Sequence, residues 1–409
     1  MANYLPEAIV LNILQRLSLK TLLRCTSVCK SWYSLITSPE FTYLHLNFTA
    51  DSRNTTPNFL SLRRCIRNSQ LYDVYSESES FARETTLEFS FRSINSFFTV
   101  VGSCNGLLCL SDDRVYYVHT IILWNPCVKR SIVLPKPNLI YNSYGTFVQS
   151  LGFGFDPVSR DYKVFRITYV DCARQHPQVE LYKLSTGVWQ DLSHLALDYV
   201  IYNKSRQAYV NRAIHWIACC KNCYDLIVLF DMYYEVFRSM KLPVGLLNND
   251  NPTNKDLVVY KESLALISWN VSGAEPSFCL WMMKEYGVEE TWSKHFSFDS
   301  HVFCGGFMSP LWVGRRGEVI VVRQDGRLVS YDHDGVVVKD LGVHDSSYED
   351  CRRSIHVDSY KESLVLLEGA HCFSDAVTCY DLPNLHTNNS DFVDIYGCDY
   401  ELCFENDCK

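Results

Sequence analysis

The sequence predicts an α+β multidomain chain, with a small N-terminal module of three short helices followed by an all-β, propeller-like domain of about six blades. Three observations predict it. Apolar residues fall at a 3.6-residue period within the first 46 positions. Short β-rich runs separated by turn residues fill the chain from Phe97 onward. Within that region Tyr260-Lys261-Glu262-Ser263-Leu264-Ala265-Leu266 recurs almost verbatim as Tyr360-Lys361-Glu362-Ser363-Leu364-Val365-Leu366.

In the helical module, Leu5, Ile9, Val10, Ile13, Leu14 and Leu17 draw one continuous stripe. Asn3 is placed to cap this first helix, and Pro6 suits its first turn, where a missing N–H costs nothing. The stripe breaks at Ser18. Leu22, Leu23, Val28, Cys29, Trp32, Leu35 and Ile36 then mark one or two further helices, and Pro39, which disfavours helical geometry at Ser38, is expected to stop the last. About forty residues with up to three apolar faces cannot close a self-sufficient core. Either the rest of the chain covers those faces, or a partner does.

The spaced pattern Leu5-Pro6, Ile9, Ile13-Leu14, Arg16-Leu17, Lys20-Thr21-Leu22, Val28-Cys29-Lys30-Ser31-Trp32, Leu35-Ile36, Ser38-Pro39-Glu40-Phe41 and His45-Leu46 resembles the F-box. That resemblance implies docking on a Skp-type adaptor and, through it, on the cullin of a ubiquitin ligase. It places the adaptor contact on Leu5, Pro6, Ile9, Leu17, Leu22, Leu23, Val28, Cys29 and Trp32, some of which must instead pack the box's own core. Ser18 departs from the family, which commonly has proline there; this loosens the turn between helices but removes no apolar anchor.

Residues 47–96 read as a connector with one or two short strands, and Thr85–Phe91 is a candidate to return and complete a ring. The β domain spans 97–390, and 391–409 form a C-terminal tail. No long amphipathic helix interrupts the β runs, which argues against alternating α/β units. Candidate tight turns at Asn105, Ser159, Arg212, Glu262, Gly317 and Glu362 follow at a period near fifty, as in a kelch-like propeller. The pairs Tyr182/Trp189, Phe230/Phe237 and Tyr331/Val338 are each seven apart, so they are expected to face each other across short turns. The sixth unit, Ile355 to Leu382, has a weak final strand.

Gly102-Ser103-Cys104-Asn105-Gly106-Leu107-Leu108-Cys109-Leu110, Leu123-Trp124-Asn125-Pro126 and Leu151-Gly152-Phe153-Gly154-Phe155-Asp156-Pro157 resemble the F-box-associated domain of plant F-box proteins. This broad group includes S-locus F-box proteins and immune-receptor turnover factors. Repeated glycine pairs of true kelch blades are missing, Gly305-Gly306 excepted, so the associated-domain likeness is the better one.

Composition excludes several other functions. The net charge is −8 and no Lys/Arg tract interleaves with aromatics, which excludes general nucleic-acid binding. Locally the box is mildly basic, with Arg16, Lys20, Arg24 and Lys30 against Glu7 and Glu40. No apolar run reaches the length of a membrane span. Of the 18 cysteines, Cys25, Cys29, Cys104, Cys109, Cys219, Cys220 and Cys279 lie within or beside apolar runs, where free cysteine behaves as a small hydrophobe, so a reduced protein of the cytoplasm, the nucleus or both is expected. Cys220 and Cys223 have the spacing of half a zinc site, but no second pair answers them and His215 stands alone. Neither metal nor cofactor is expected.

Catalytic signatures are missing as well. Gly152-Phe153-Gly154 opens like a dinucleotide loop, yet Pro157 takes the third glycine's place, and a β-turn is the expected reading. Asp332-His333-Asp334 precedes Gly335 and reads as a polar hairpin turn. The expected function is therefore a non-catalytic substrate receptor that holds an unknown protein through propeller loops, with candidates at 136–146, 171–178, 198–205, 246–254 and 345–352. The alternative is a propeller-based small-molecule binder or enzyme with the helical segment as a structural cap.

Overall fold

The structure is a computed structural model; it describes residues 6–366 apart from 51–58, 67–68, 77–80, 92, 94–96, 113–119, 139–146, 171–176, 196–198, 203–204, 221–223, 248–253, 271–276, 300–306, 333–335 and 345–354. Four helices open the chain: α1 (Glu7–Leu14), α2 (Leu19–Cys25), α3 (Lys30–Thr37) and α4 (Pro39–Ala50). Three were expected, ending at residue 46. Pro39 does end α3, since Ser38 is extended with φ −65° and ψ 145°, but it also starts a fourth helix. Proline suits the first helical position, and the Ser38 hydroxyl accepts the Phe41 N–H at 3.1 Å as the cap. Asn3 is outside the described residues, and α1 begins only after Pro6, whose carbonyl accepts the N–H of Ile9 at 2.9 Å. The substituted position Ser18 precedes α2, and its hydroxyl lies 2.9 Å from that of Thr21.

The described strands form six antiparallel sheets, five of four strands and one of five. They cover residues 99–133, 147–191, 199–241, 254–299 and 307–344, and the last joins residues 59–88 to His356–Tyr360. The uniform four-stranded blade therefore occurs five times, and the 199–241 sheet departs from it with a fifth strand, Ala208–Val210. Leading strands of successive sheets touch one another in a closed circle, from Thr99–Cys104 round to His356–Tyr360, which makes the domain a propeller.

Turn chemistry shapes each unit. Asn105, Arg160, Arg212 and Glu262 have positive φ in hairpin turns at or beside the positions expected, as does Gly317. Tyr182 pairs with Trp189 and Phe230 with Phe237. Tyr331 instead pairs with Val337, because a bulge at Ser330/Tyr331 shifts the register away from Val338.

The two copies of the repeated heptapeptide part ways. Lys261 and Glu262, with φ 48° and 67°, form the tight turn that pairs Tyr260 with Ser263. After Tyr360 the described residues 361–366 form no hairpin, so Glu362 is not the turn the repeat implies. The place beside His356–Tyr360 is taken by Phe59–Ile66, from the opposite end of the chain. That strand closes the ring. Arg83–Glu88, which overlaps the candidate closing segment, lies at the outer edge of the same sheet, and the connector supplies three strands instead of one or two.

Gly152 and Gly154 also differ from the expected turn, because both lie inside the strand Phe147–Asp156. A Cβ on Gly152 would stand 2.4 Å from the Trp216 ring, and one on Gly154 2.6 Å from the Tyr209 ring. These glycines admit aromatic rings of the neighbouring sheet, and the Trp216 indole N–H donates to the Leu151 carbonyl at 3.1 Å.

Candidate functional site

The helical module has a small closed core and carries exposed apolar side chains outside it. Leu14, Leu19, Leu22, Ile36 and Phe41 are buried together, and Val10, Leu11, Leu17, Leu23, Trp32 and Leu35 pack around them half-buried. Outside this core Ile9 (45% exposed), Ile13 (46%), Val28 (61%), Tyr33 (50%) and Leu44 (41%) face solvent. Ile9 and Ile13 stand one turn apart on the same face of α1.

These positions sort the expected contact residues. Pro6, Ile9, Val28 and Cys29 are exposed, while Leu17, Leu23 and Trp32 are half-buried against the core. Leu22 is fully buried beside Ile36 and Phe41, so it holds the module together and has no surface to offer a partner. Leu5 lies outside the described residues. Ile13 was missed although it continues the stripe one turn beyond Ile9. Tyr33 and Leu44 carry no such signal, because only the packing of α3 and α4 decides which flank stays open.

Local electrostatics follow from the same packing. A hydrogen bond with the Ser31 hydroxyl, then the Trp32 N–H, holds the exposed Cys29 thiol below its ordinary pKa. His45 is buried, and its Nε2–H donates to the Leu17 carbonyl at 3.2 Å. Burial pulls its pKa below the ordinary histidine value, and its bond to Leu17 ties α4 to the segment that follows α1.

The module is seated on one end of the propeller. Leu364 enters its core fully buried, from the segment that follows the last described strand. The buried Asn125 side chain holds this segment, its amide donating to the carbonyls of Ser363 at 3.0 Å and Val365 at 2.8 Å. Its own oxygen accepts the Cys127 N–H at 3.0 Å. Gly106, at φ +80°, leaves the passage: a Cβ there would meet the Ser363 hydroxyl at 2.5 Å and the Lys361 carbonyl at 2.6 Å. From α4, Tyr43 and Leu46 pack on the 99–191 core with Val365 and Leu366, and the Arg160 guanidinium lies 4.3 Å from the Tyr43 ring centre.

Turns at Asn105, Cys127 and Arg160 thus mark the seated end. Because neighbouring strands alternate in direction, the strands that lead into the candidate recognition segments end on the opposite side. Most of their residues lie outside the described set. At the seated end, a mixed-charge cleft of about 500 Å³ is lined by Arg212, Asp231, Tyr234, Arg238, Tyr286 and Glu290.

Of the half zinc motif, only Cys220 lies among the described residues, buried in the core, and Cys223 falls outside them. His215, fully buried, donates from Nδ1 to the Ala208 carbonyl at 3.0 Å, which leaves Nε2 to accept from the Tyr286 hydroxyl at 2.9 Å. Among the described residues no group of three or more His, Cys, Asp or Glu side chains is placed to hold a metal.

Fold and site together define a four-helix module mounted on a β-propeller. Residues 3–44 match the F-box domain, and residues 61–329 match the F-box associated beta propeller domain. In Arabidopsis thaliana, the F-box protein At3g07870 is 30% identical, the alignment covering 83% of this chain and 88% of the relative. The F-box/kelch-repeat protein At3g23880 is 28% identical over 80% and 87% of the two chains. The F-box protein CPR1 is 26% identical over 88% and 89%. This chain belongs to the F-box proteins that carry an F-box associated β-propeller domain.

Proposed function

We propose that this chain is the substrate-recognition subunit of a Skp–cullin–F-box type ubiquitin ligase. The box binds a Skp-type adaptor and through it a cullin, and the far end of the propeller holds a target protein. The chain then makes and breaks no bond itself; it contributes proximity and orientation, in the cytoplasm, the nucleus or both.

The observation that carries this reading is the exposed apolar set Ile9, Ile13, Val28, Tyr33 and Leu44 around a core that is already closed. A mere structural cap has no use for it, whereas a docking surface does. Its seat on the propeller supports the reading further, since the box packs at the end marked by Arg160, opposite the strand ends that lead into the candidate recognition segments.

Co-purification of the full chain with a Skp-type adaptor tests the proposal, with an Ile9→Asp/Ile13→Asp variant as control. Capture by the wild type and its loss in the variant are expected. Equal capture of both chains would overturn this assignment of the docking surface, and no capture of either would overturn the receptor reading.

A further inference from the structure

The segment 361–366 serves two structures at once. Immediately before it, His356–Tyr360 pairs with Phe59–Ile66 and closes the ring. Four residues after that strand, Leu364 fills the core of the box. Between the two there is little slack. Tyr360 places its hydroxyl 2.9 Å from the Cys127 sulfur, Ser363 is fully buried against Asn125, and Gly106 lies so close that a Cβ there would stand 2.5 Å from the Ser363 hydroxyl and 2.6 Å from the Lys361 carbonyl. The Ser103 hydroxyl donates to the Ser359 carbonyl at 3.0 Å, which fixes the strand from its other side.

A strand that slipped from the ring would therefore draw Leu364 out of the box. A box that lost Leu364 would release the strand. We propose that closure of the propeller and completion of the adaptor-docking box are one coupled event, with residues 361–366 as the coupler. Only a chain whose two ends have met then presents a well-formed box, which withholds half-folded receptors from the ligase. The consequence for adaptor binding rests on the receptor reading above; the coupling between box and ring does not.

Amide hydrogen exchange on the full chain separates these two levels. Leu364→Ala alters only the box end of the coupler, and Val357→Ala only the ring end, where Val357 is buried among propeller residues. Coupling predicts that Leu364→Ala speeds exchange in 356–360 at least fivefold, and that Val357→Ala does the same for the amides of 7–50. Each substitution speeding only its own side would overturn the proposal. By reciprocity, a Skp-type adaptor bound to the wild type should slow exchange in 356–360, far from its contact. Unchanged exchange there with the adaptor bound would also overturn it. Failure of the wild type to bind any adaptor would count against the receptor reading, while the two variants still decide the coupling.

Discussion

The side-chain amide of Asn125 donates to the backbone carbonyls of Ser363 and Val365, at 3.0 and 2.8 Å, and so joins a turn of the first blade to the segment that fills the box. Asn125→Ala removes both bonds inside a buried site. The expected loss is about 1–3 kcal/mol for each carbonyl left without a donor. Urea unfolding of the full chain checks this, and an unchanged midpoint would show that the carbonyls find other partners.

The F-box resemblance assigns Leu22 and Ile9 the same contact, yet they should fail differently. Leu22→Ala opens a cavity in the box core and is expected to cost about 2–5 kcal/mol. Ile9→Asp changes a side chain that is 45% exposed, so it should leave thermal stability nearly unchanged while weakening adaptor capture. Thermal melts beside adaptor pull-downs distinguish the two. A large loss of stability in Ile9→Asp would mean that this residue belongs to the core.

Tyr43 and Arg160 form a contact between box and propeller that a double-mutant cycle can isolate. The guanidinium lies 4.3 Å from the ring centre, and the expected coupling is about 0.5–1 kcal/mol. A coupling near zero would reduce the pair to simple neighbours.

His215 makes stability depend on pH. Burial lowers its pKa from the ordinary 6.5 to about 4, so the folded chain holds the ring neutral where the unfolded chain protonates it. This contribution is complete above the unfolded pKa and is lost as pH falls towards the folded one. Between pH 7 and pH 5 the loss should reach about 2 kcal/mol. Comparing urea midpoints of the wild type and His215→Gln at both pH values checks it, because the variant should show a shallower slope. His45, whose pKa is lowered in the same direction by burial, adds to the slope that remains.

Much of this protein was legible because local rules suffice for it. The stripe Ile9, Val10, Ile13, Leu14 foretold α1, and the hairpin turns at Asn105, Arg212 and Glu262 foretold where strands reverse. A 3.6-residue period and a positive φ at a turn are properties of neighbours in the chain. The fourth helix was not expected, although Ser38-Pro39-Glu40 carries the cap, the first-turn proline and the acidic residue of a helix start.

Residues far apart in sequence supplied what was missing. Nothing in Gly152 announces the Trp216 ring that forbids it a side chain, and nothing in Leu22 announces that Ile36 and Phe41 enclose it. The repeated heptapeptide shows the difference most directly. By itself the sequence determined that two identical tetrapeptides, Tyr-Lys-Glu-Ser, each leave a strand of the propeller. Only the tertiary structure decided that one turns back into its own sheet and the other runs beneath the box, because Phe59–Ile66 had already taken the neighbouring strand position. A strand's backbone donors and acceptors are satisfied by whichever partner closes the ring, and that partner came from the far end of the chain.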